Sequence, residues 1–405
     1  MTKLLNFTVG NFRSFGENRT FTFLTDKRAG RAGKGTFKAG PYRLSVISAC
    51  YGANSGGKSN LVDAMALMKD IIVNNSKLSS VDKIKYIPFA LDETSDKEPQ
   101  TFELTFYNDE LGTVRYGFSN TEEKVVKEWL FIKKDSKERP YFLRDLDGIG
   151  VDKELLPDVD SIIERTNANR LFLIALDANN IALAQAIFGA IHSNINIISG
   201  LDNEGYAALT AKSILLNSTL GNQARKFFLN LRLGFDDVIV RKDGDEDDAK
   251  LRVLSVHTVL DEKGYPTQTK LLSPFEAFES AGTQKIFELA APILDTLNRG
   301  AVLVIDELDA KLHPFLTREI VRRFINEETN PKHAQILFTT HLATLLSSRL
   351  LRADQIWFVE KDPRMRSDLY RATQMVLPEG EELSKVLDHE SFYLRGRYGA
   401  VPNII

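Results

Sequence analysis

The chain has 405 residues, with 52 lysines and arginines against 55 acidic residues, which gives a formal net charge of −3. At about 150 residues per domain, this length predicts about two to three domains. The composition, 43% apolar and 26% charged, excludes a disordered or collagen-like chain. The near-neutral charge argues against a generally basic nucleic-acid binder, although it leaves a local basic patch open. Because Cys50 is the only cysteine, an intramolecular disulfide and a cysteine zinc site are excluded, which fits a reducing cytoplasm.

The N-terminal half alternates between strand-like and helix-like patterns. Short apolar runs at 4–9, 20–24 and 44–50 predict strands, and the alternation at 100–106 predicts a half-buried strand. Runs at 114–118 and 125–132 continue in the same manner and predict an antiparallel meander. From 155 to 231 apolar residues recur at helical spacing, which predicts an inserted helical subdomain. We expect no membrane contact, since every apolar run is far shorter than the roughly 18 residues of a span and the N-terminus lacks a targeting pattern.

A phosphate-binding motif follows the strand predicted at 44–50. The segment matches the pattern G-x-x-x-x-G-K-[ST] in full and precedes a helical pattern at 60–72, so strand, glycine-rich loop and helix occur in the required order. Such a loop points backbone N–H groups and a helix N-terminus at phosphate oxygens. Lys58 is expected to reach the β and γ phosphates and Ser59 to hold Mg²⁺. The candidate nucleotide-binding residues are Gly52, Asn54, Ser55, Gly56, Gly57, Lys58, Ser59 and Asn60.

Two later strands end in residues that suit nucleotide hydrolysis. The apolar run 301–305 predicts a buried parallel strand, and Asp306 and Glu307 follow it directly. Because α/β sheets bind ligands at the carboxyl ends of their strands, Asp306 is expected to join the Mg²⁺ shell and Glu307 to polarise the attacking water. A third strand at 335–338 ends in Thr339, Thr340 and His341. His341 is the candidate sensor of the phosphate.

The segment 278–284 lies just before the helix that leads to the acid-tipped strand. Taken alone, it predicts a helix capped by Ser280. Its place in the chain resembles the signature loop of ABC-type ATPase heads, in the RecF, SMC and OLD branch, with Thr283 where the usual signature has its second glycine. This variant resembles overcoming-lysogenization-defect and abortive-infection ATPases. The resemblance implies that Ser280, Gly282 and Gln284 bind the γ-phosphate of a nucleotide held by a second subunit.

Further segments carry the same resemblance. The sequence N-F-R-S-F at 11–15 is similar to the N-terminus of RecF and SMC-like ATPases, which implies that Arg13 approaches the nucleotide. Asp309 occupies the place of the family's D-loop, and the tail 393–402 resembles the ending of AbiLi and RloA-like ATPases of bacterial defence systems. The position of the Q-loop stays open: Gln100 is one candidate, but a surface glutamine opening a strand is the preferred interpretation.

Several features exclude particular types of ABC-like ATPase. No sustained heptads fill the region between the phosphate loop and the signature segment, so the long coiled coil of SMC proteins is not expected. The tail after His341 is too short for the nuclease domain that OLD proteins append, so we expect no nuclease activity in this chain. A transporter head is disfavoured by the long insertion and by the signature variant.

These patterns predict an α/β fold, and the resemblance implies an ABC-type ATPase head, with a mixed sheet carrying the phosphate loop, an antiparallel β subdomain and an inserted helical subdomain. The expected boundaries are 1–130 and 250–405 for the two parts of the head and 131–249 for the insertion. The resemblance implies a cytoplasmic ATPase that uses ATP and Mg²⁺, forms an ATP-sandwiched homodimer or larger assembly and regulates a partner nuclease or toxin in antiphage defence.

The alternative function is a RecF-like ATPase of DNA repair that binds nucleic acid directly. The basic segment 27–43 could contact phosphates, although a solvated loop beside the nucleotide is the simpler interpretation. Its cations are Lys27, Arg28, Arg31, Lys34, Lys38 and Arg43. The trigger, the effector, the stoichiometry and the choice between ATP binding and hydrolysis as the signal are not contained in the sequence.

Overall fold

The computed structural model describes residues 1–30, 33–135, 137–199, 204–244, 250–347, 350–375 and 389–401. The strands in these ranges are β1 (Thr2–Gly10), β2 (Arg19–Thr22), β3 (Thr36–Ala39), β4 (Tyr42–Ser45), β5 (Ile47–Tyr51), β6 (Gln100–Asn108), β7 (Gly112–Asn120), β8 (Val125–Lys133), β9 (Glu138–Arg144), β10 (Ile149–Val151), β11 (Ile195–Ser199), β12 (Asp237–Lys242), β13 (Leu251–Leu260), β14 (Pro266–Pro274), β15 (Val302–Asp306), β16 (Gln335–Thr339), β17 (Ile356–Lys361) and β18 (Ser367–Arg371). The α-helices are α1 (Lys58–Asn74), α2 (Asp160–Glu164), α3 (Phe172–Ala178), α4 (Ala182–Asn194), α5 (Glu204–Leu215), α6 (Thr219–Leu231), α7 (Phe275–Phe278), α8 (Ala281–Arg299), α9 (Pro314–Ile325) and α10 (His389–Leu394).

A six-stranded sheet forms the centre of the molecule, in the order β11-β15-β16-β5-β17-β18. Its neighbours from β11 to β17 run parallel, and β18 at the edge runs antiparallel to β17. The residues of β5 and β16 are buried throughout, as expected for parallel strands covered on both faces. Because β5, β15 and β16 are adjacent and parallel, their carboxyl ends meet at one edge of this sheet.

The strand predicted at 44–50 is two strands that belong to different sheets. β4 pairs with β3 in a small hairpin, whereas β5 enters the central sheet between β16 and β17. The break falls at Val46, and the hydroxyl of Ser45 just before it accepts a hydrogen bond from the Ile47 N–H at 3.1 Å and donates to the Ile47 carbonyl at 2.7 Å. A side chain that hydrogen-bonds the backbone two residues on competes with ladder pairing, and an apolar run does not reveal it.

The predicted antiparallel meander is confirmed. β6, β7 and β8 pair successively, within a seven-stranded sheet in the order β10-β9-β8-β7-β6-β1-β2. The alternating residues Phe102, Leu104 and Phe106 are all buried, as a half-buried strand requires. This sheet packs on α1, whose side chains Leu61 and Met65 join one core cluster with residues of both sheets.

The two faces of the central sheet lie against different layers, as the pleat of its strands dictates. Along β15, Val302 and Val304 belong to the cluster around α1, whereas Leu303 and Ile305 belong to a second cluster. That second cluster contains the buried faces of α8 and α9. The central sheet therefore lies between α1 on one side and α8 and α9 on the other.

The region 155–231 contains the helices α2 to α6 but also one strand of the central sheet. β11 pairs in parallel with β15, in a register that aligns Ile197 with Val304. Its short run of isoleucines is typical of a strand, but an apolar run of this length does not distinguish strand from buried helix. No single helix in the described ranges is long and apolar enough to cross a membrane; α3 and α4 meet that criterion only together, bent by 113°.

Candidate nucleotide site

The loop between β5 and α1 has the geometry of a phosphate cradle. Its backbone is compact enough to require glycine at two positions: a Cβ on Gly52 would lie 2.2 Å from the Val359 carbonyl, and one on Gly57 would lie 2.2 Å from Ser367 Oγ. Gly57 also has φ of 117°, in the region that disfavours other residues. α1 begins immediately afterwards, so its free N–H groups and positive dipole end point toward the loop.

Lys58 places its charge inside this loop. Its side chain is 6% exposed, and Nζ donates hydrogen bonds to the Gly52 carbonyl at 2.8 Å and the Ala53 carbonyl at 3.2 Å. Burial lowers the pKa of this ammonium group, while the nearby thiol of Cys50 and the carboxylates of Asp306 and Glu307 act in the opposite direction. A buried cation held by two neutral carbonyl acceptors is well prepared for a phosphate, which makes stronger, charge-assisted hydrogen bonds.

Thr339 joins the ends of β15 and β16. Its hydroxyl donates to Asp306 Oδ1 at 2.6 Å and accepts from the Glu307 N–H at 2.7 Å, and its carbonyl accepts from the Leu308 N–H at 3.1 Å. Glu307 has φ of 52°, a conformation that a non-glycine residue adopts only when neighbours hold it there. Thr339 therefore orients both acidic residues, a role that the sequence motif T-T-H did not disclose.

A cleft of about 360 Å³ brings eight of the candidate residues together. The phosphate loop and the start of α1 form one wall, and Glu307 and His341 belong to the same lining although they are distant in the sequence. The lining residues are Ala53, Asn54, Ser55, Gly57, Lys58, Ser59, Asn60, Glu307 and His341. The cleft thus combines anion-binding backbone, a lysine, a serine hydroxyl, a carboxylate and an imidazole, which are the groups needed to bind and hydrolyse a phosphoanhydride.

A layer of polar side chains supports the loop from behind. Ser367 Oγ on β18 lies 2.7 Å from the Gly56 carbonyl and 2.6 Å from Ser14 Oγ. Asn60 Nδ2 donates to the same Ser14 hydroxyl at 2.6 Å. Ser14 and Ser367 are buried and come from opposite ends of the chain, so no local sequence pattern predicts that they meet.

Arg13 lies beside α1 and does not line the cleft. Its guanidinium pairs with Asp63, and its Nη1 lies 3.4 Å from Asn60 Oδ1. Arg13 also has a positive φ of 47° and donates its backbone N–H to the Ile87 carbonyl at 2.9 Å. The structure therefore connects Arg13 to the cleft through Asn60.

Asp309 lies next to His341. Its Oδ2 accepts a hydrogen bond from the backbone N–H of His341 at 3.3 Å. Its Oδ1 is buried without a hydrogen-bond partner among the described residues. An unsatisfied buried carboxylate oxygen costs free energy, so this residue has capacity for a further donor.

The signature-like segment lies outside the cleft of its own chain. Ser280 caps α8, with its Oγ accepting from the Thr283 N–H at 3.2 Å, and the residue is exposed. Gln284 Nε2 donates to the Glu276 carbonyl at 2.8 Å and the Glu279 carbonyl at 2.9 Å. Neither of these residues nor Gly282 belongs to the cleft lining. The helix-cap geometry expected from the sequence is present.

Gln100 is not the surface residue that the sequence suggested. It is fully buried on β6, where Oε1 accepts from the Ile87 N–H at 3.0 Å and Nε2 donates to the Lys85 carbonyl at 2.7 Å and to Asn120 Oδ1 at 3.2 Å. Its amide thus ties the segment after α1 to the seven-stranded sheet. Gln100 is also absent from the cleft lining, so it makes no contact with the site.

The cations of the basic segment 27–43 lie in different environments. Arg28 forms an ion pair with Asp26 at 2.8 Å, and Lys34 and Lys38 are exposed. Arg31 lies outside the described residues. Pro402, at the end of the tail motif, also lies outside them. Among the described residues no group of three or more histidine, cysteine or acidic side chains could hold a metal ion. Asp306 and Ser59 nevertheless offer two oxygen ligands, the type that Mg²⁺ prefers when nucleotide phosphates supply the others.

The geometry describes a nucleotide-binding P-loop site, and comparison with known families agrees. Residues 47–347 match the family model described as "AAA domain, putative AbiEii toxin, Type IV TA system". This match covers most of the chain, so the chain belongs to this AAA-domain family. It carries an AAA-type ATPase domain.

Comparison with solved structures finds similar chains at low identity. The ATP complex of the recombination mediator protein RecF of the RecFOR pathway matches with a TM-score of 0.38 and 14% identity, over 91% of this chain and 98% of that chain. The RecF-ATPrS complex matches with a TM-score of 0.37 and 13% identity, over the same shares. Likeness of this extent carries no conclusion about function. No curated protein matches the chain.

Proposed function

We propose that this chain binds ATP with Mg²⁺ and hydrolyses it in the cleft between the phosphate loop and the ends of β15 and β16. The observation that carries the proposal is the shared cleft, in which Glu307 and His341 belong to one lining with the phosphate loop. Lys58 and the loop N–H groups would bind the phosphates, and Ser59 and Asp306 would hold the metal ion. When bound, Mg²⁺ neutralises charge that develops on the phosphate oxygens. Glu307 would polarise the attacking water, and His341 would contact the terminal phosphate.

We further propose that two copies enclose the nucleotides between them. Ser280, Gly282 and Gln284 lie away from the cleft of their own chain, and Ser280 is exposed at the N-terminus of a 19-residue helix. A helix N-terminus attracts anions, so this segment suits a nucleotide held by a second copy. Asp309 accepts a hydrogen bond from the backbone N–H of His341, so on this proposal the D-loop residue is coupled to the candidate phosphate sensor. On this proposal residues 1–130 and 250–405 form the head, and 131–249 is an insertion that contributes β11 to the central sheet and β9 and β10 to the seven-stranded sheet.

The finer proposal is that the closed dimer regulates a partner effector, a nuclease or toxin of bacterial antiphage defence. Support comes from the resemblance of the tail to AbiLi and RloA-like ATPases and from the family description, which names a toxin–antitoxin system. Such a switch works through the difference in ATP affinity between open and closed states.

The activity is tested with purified protein and three variants. Glu307→Gln should lower kcat for ATP by about 100-fold or more while retaining ATP binding, because it loses the general base and keeps the phosphate cradle. Lys58→Ala should weaken ATP binding itself. Glu328→Gln makes the same chemical change at an exposed site and should behave as the parent chain. Turnover by Glu307→Gln at the parent rate would show that Glu307 is not the base.

The partner is tested in the native host. Tagged Glu307→Gln, purified with ATP and Mg²⁺ throughout, should retain the closed dimer and any protein that recognises it. A stoichiometric partner with nuclease or toxin features, absent from a parallel Lys58→Ala purification, is the expected result. Recovery of DNA without a partner protein would instead favour the RecF-like repair function.

A further inference from the structure

A surface groove beside α9 is lined by several positively charged side chains. It has a volume of about 580 Å³ and is formed by one face of α9, the loop that follows it, Lys34 of the basic segment and Leu350. We call it the α9 groove. Its charged lining residues are Lys34, Arg318, Glu319, Arg322 and Arg323. None of these residues lines the nucleotide cleft, so the α9 groove is a separate feature.

The charges of the α9 groove are poorly compensated. Four of its lining side chains are cationic and Glu319 is the one acid among them. Glu319 lies 3.8 Å from Arg323, whereas Lys34, Arg318 and Arg322 make no ion pair within the described ranges. Arg318 and Arg322 are four residues apart on α9 and therefore share a face of the helix. In a chain whose net charge is −3, three uncompensated cations at one place indicate a binding surface.

Burial adds an independent observation. The Nε atoms of Arg318 and Arg323 are both buried and have no hydrogen-bond partner among the described residues. The Arg323 guanidinium lies 4.5 Å from the centre of the Phe227 ring, and this contact holds it in place at the wall of the groove. Burial also lowers the pKa of Arg323. A buried charged donor without a partner is costly, so neither arginine is fully compensated within the described residues.

The chemistry of the lining selects phosphate. Planar guanidinium groups bind phosphate oxygens with two parallel hydrogen bonds, and several of them in a row suit successive phosphates. No aromatic side chain lines the α9 groove, so it offers no surface on which bases could stack. We infer that the α9 groove binds consecutive phosphates of a nucleic-acid backbone, without reading the sequence of the bases. α9 begins directly after the turn that contains Asp309, so a ligand in the groove lies on the element next to the nucleotide site.

The test measures binding of a labelled DNA duplex to the full chain by fluorescence anisotropy over a range of salt. Arg318→Gln/Arg322→Gln should weaken duplex binding by about tenfold per residue, because each arginine supplies a charged hydrogen bond. The slope of log affinity against log salt should fall by about 2. Lys124→Gln/Lys127→Gln removes the same charge from exposed positions of β8 and its turn and should leave both quantities unchanged.

Two further arms identify the source of the phosphate and separate this proposal from the ATPase. Inorganic tripolyphosphate should compete with the duplex in both the parent chain and Lys58→Ala, since Lys58 lies in the other site. If tripolyphosphate binds to the groove and the duplex does not, the phosphate site stands and its ligand is a free polyphosphate. Equal duplex affinity of the parent chain and Arg318→Gln/Arg322→Gln, or binding of neither probe at low salt, would overturn the inference whether or not ATP is hydrolysed.

Discussion

Replacing Thr339 by valine removes the link between the two acidic residues and the neighbouring strand while keeping the shape of the side chain. The hydroxyl contributes two hydrogen bonds, to Asp306 Oδ1 at 2.6 Å and from the Glu307 N–H at 2.7 Å, and Thr339 is fully buried. Valine has nearly the same volume, so the substitution creates no cavity. Its effect therefore reports the hydrogen bonds.

The magnitude follows from the two bonds. The bond to the carboxylate is worth about 1.5–3 kcal/mol and the bond from the amide about 1 kcal/mol. Asp306 and Glu307 are only partly buried, so water replaces some of this, and we expect a loss of about 2–3 kcal/mol in the free energy of unfolding. Without its N–H bond, Glu307 is less firmly held in its left-handed conformation. A displacement of the order of 1 Å in a catalytic group lowers kcat by about 10- to 100-fold.

Urea unfolding and steady-state ATP hydrolysis measure the two effects on the same preparations. Thr317→Val is the matched control, because Thr317 is also fully buried and its hydroxyl has no hydrogen-bond partner among the described residues. There the substitution removes an unsatisfied polar group and should leave stability unchanged or raise it. Thr339→Ser keeps the hydroxyl and should restore most of kcat.

Parent-like stability and kcat in Thr339→Val would refute the assignment of an orienting role to this hydroxyl. The same conclusion would follow if Thr339→Ser were as slow as Thr339→Val. A loss of stability of equal size in Thr317→Val would instead mean that replacing a buried threonine by valine destabilises this protein whether or not the hydroxyl is hydrogen-bonded.

Three further predictions concern the phosphate loop and its surroundings. Gly57→Ala should lower ATP affinity and the melting temperature, because its Cβ would lie 2.2 Å from Ser367 Oγ at a φ of 117°; unchanged calorimetric affinity would contradict the cradle geometry. Cys50 is fully buried, and burial raises the pKa of its thiol to about 12. The thiol should therefore react with a disulfide reagent only after unfolding. Fast labelling of the native protein would show that β5 opens. Burial alone would raise the pKa of Asp26, but hydrogen bonds from Arg28 lower it from 3.8 to about 2. The stabilisation by Asp26 should thus be present above pH 3.8 and lost toward pH 2, so the difference in urea midpoint between the parent chain and Asp26→Asn should shrink on acidification, and a difference that grows would refute it.

The sequence by itself determined the chemistry of the nucleotide site and the order of its parts. The phosphate loop is a local motif, since one short segment supplies the glycines, the lysine and the helix start that bind phosphate. The apolar runs before Asp306 and before His341 predicted strands, and parallel strands bring their carboxyl ends to one edge. The shared cleft of Glu307 and His341 with the loop is the geometry that this argument predicts.

Only the tertiary structure decided which side chains support those residues. Thr339, Ser14 and Ser367 are ordinary residues in sequence, and their roles arise because sheet pairing places distant segments within hydrogen-bond distance. The burial of Gln100 and the division of the strand near Ser45 likewise depend on contacts that no local pattern contains. The α9 groove belongs to the same class, because Lys34 joins the three arginines of α9 only in the fold. Short motifs determine the local chemistry of the site, whereas strand pairing and side-chain burial depend on the register of the whole sheet.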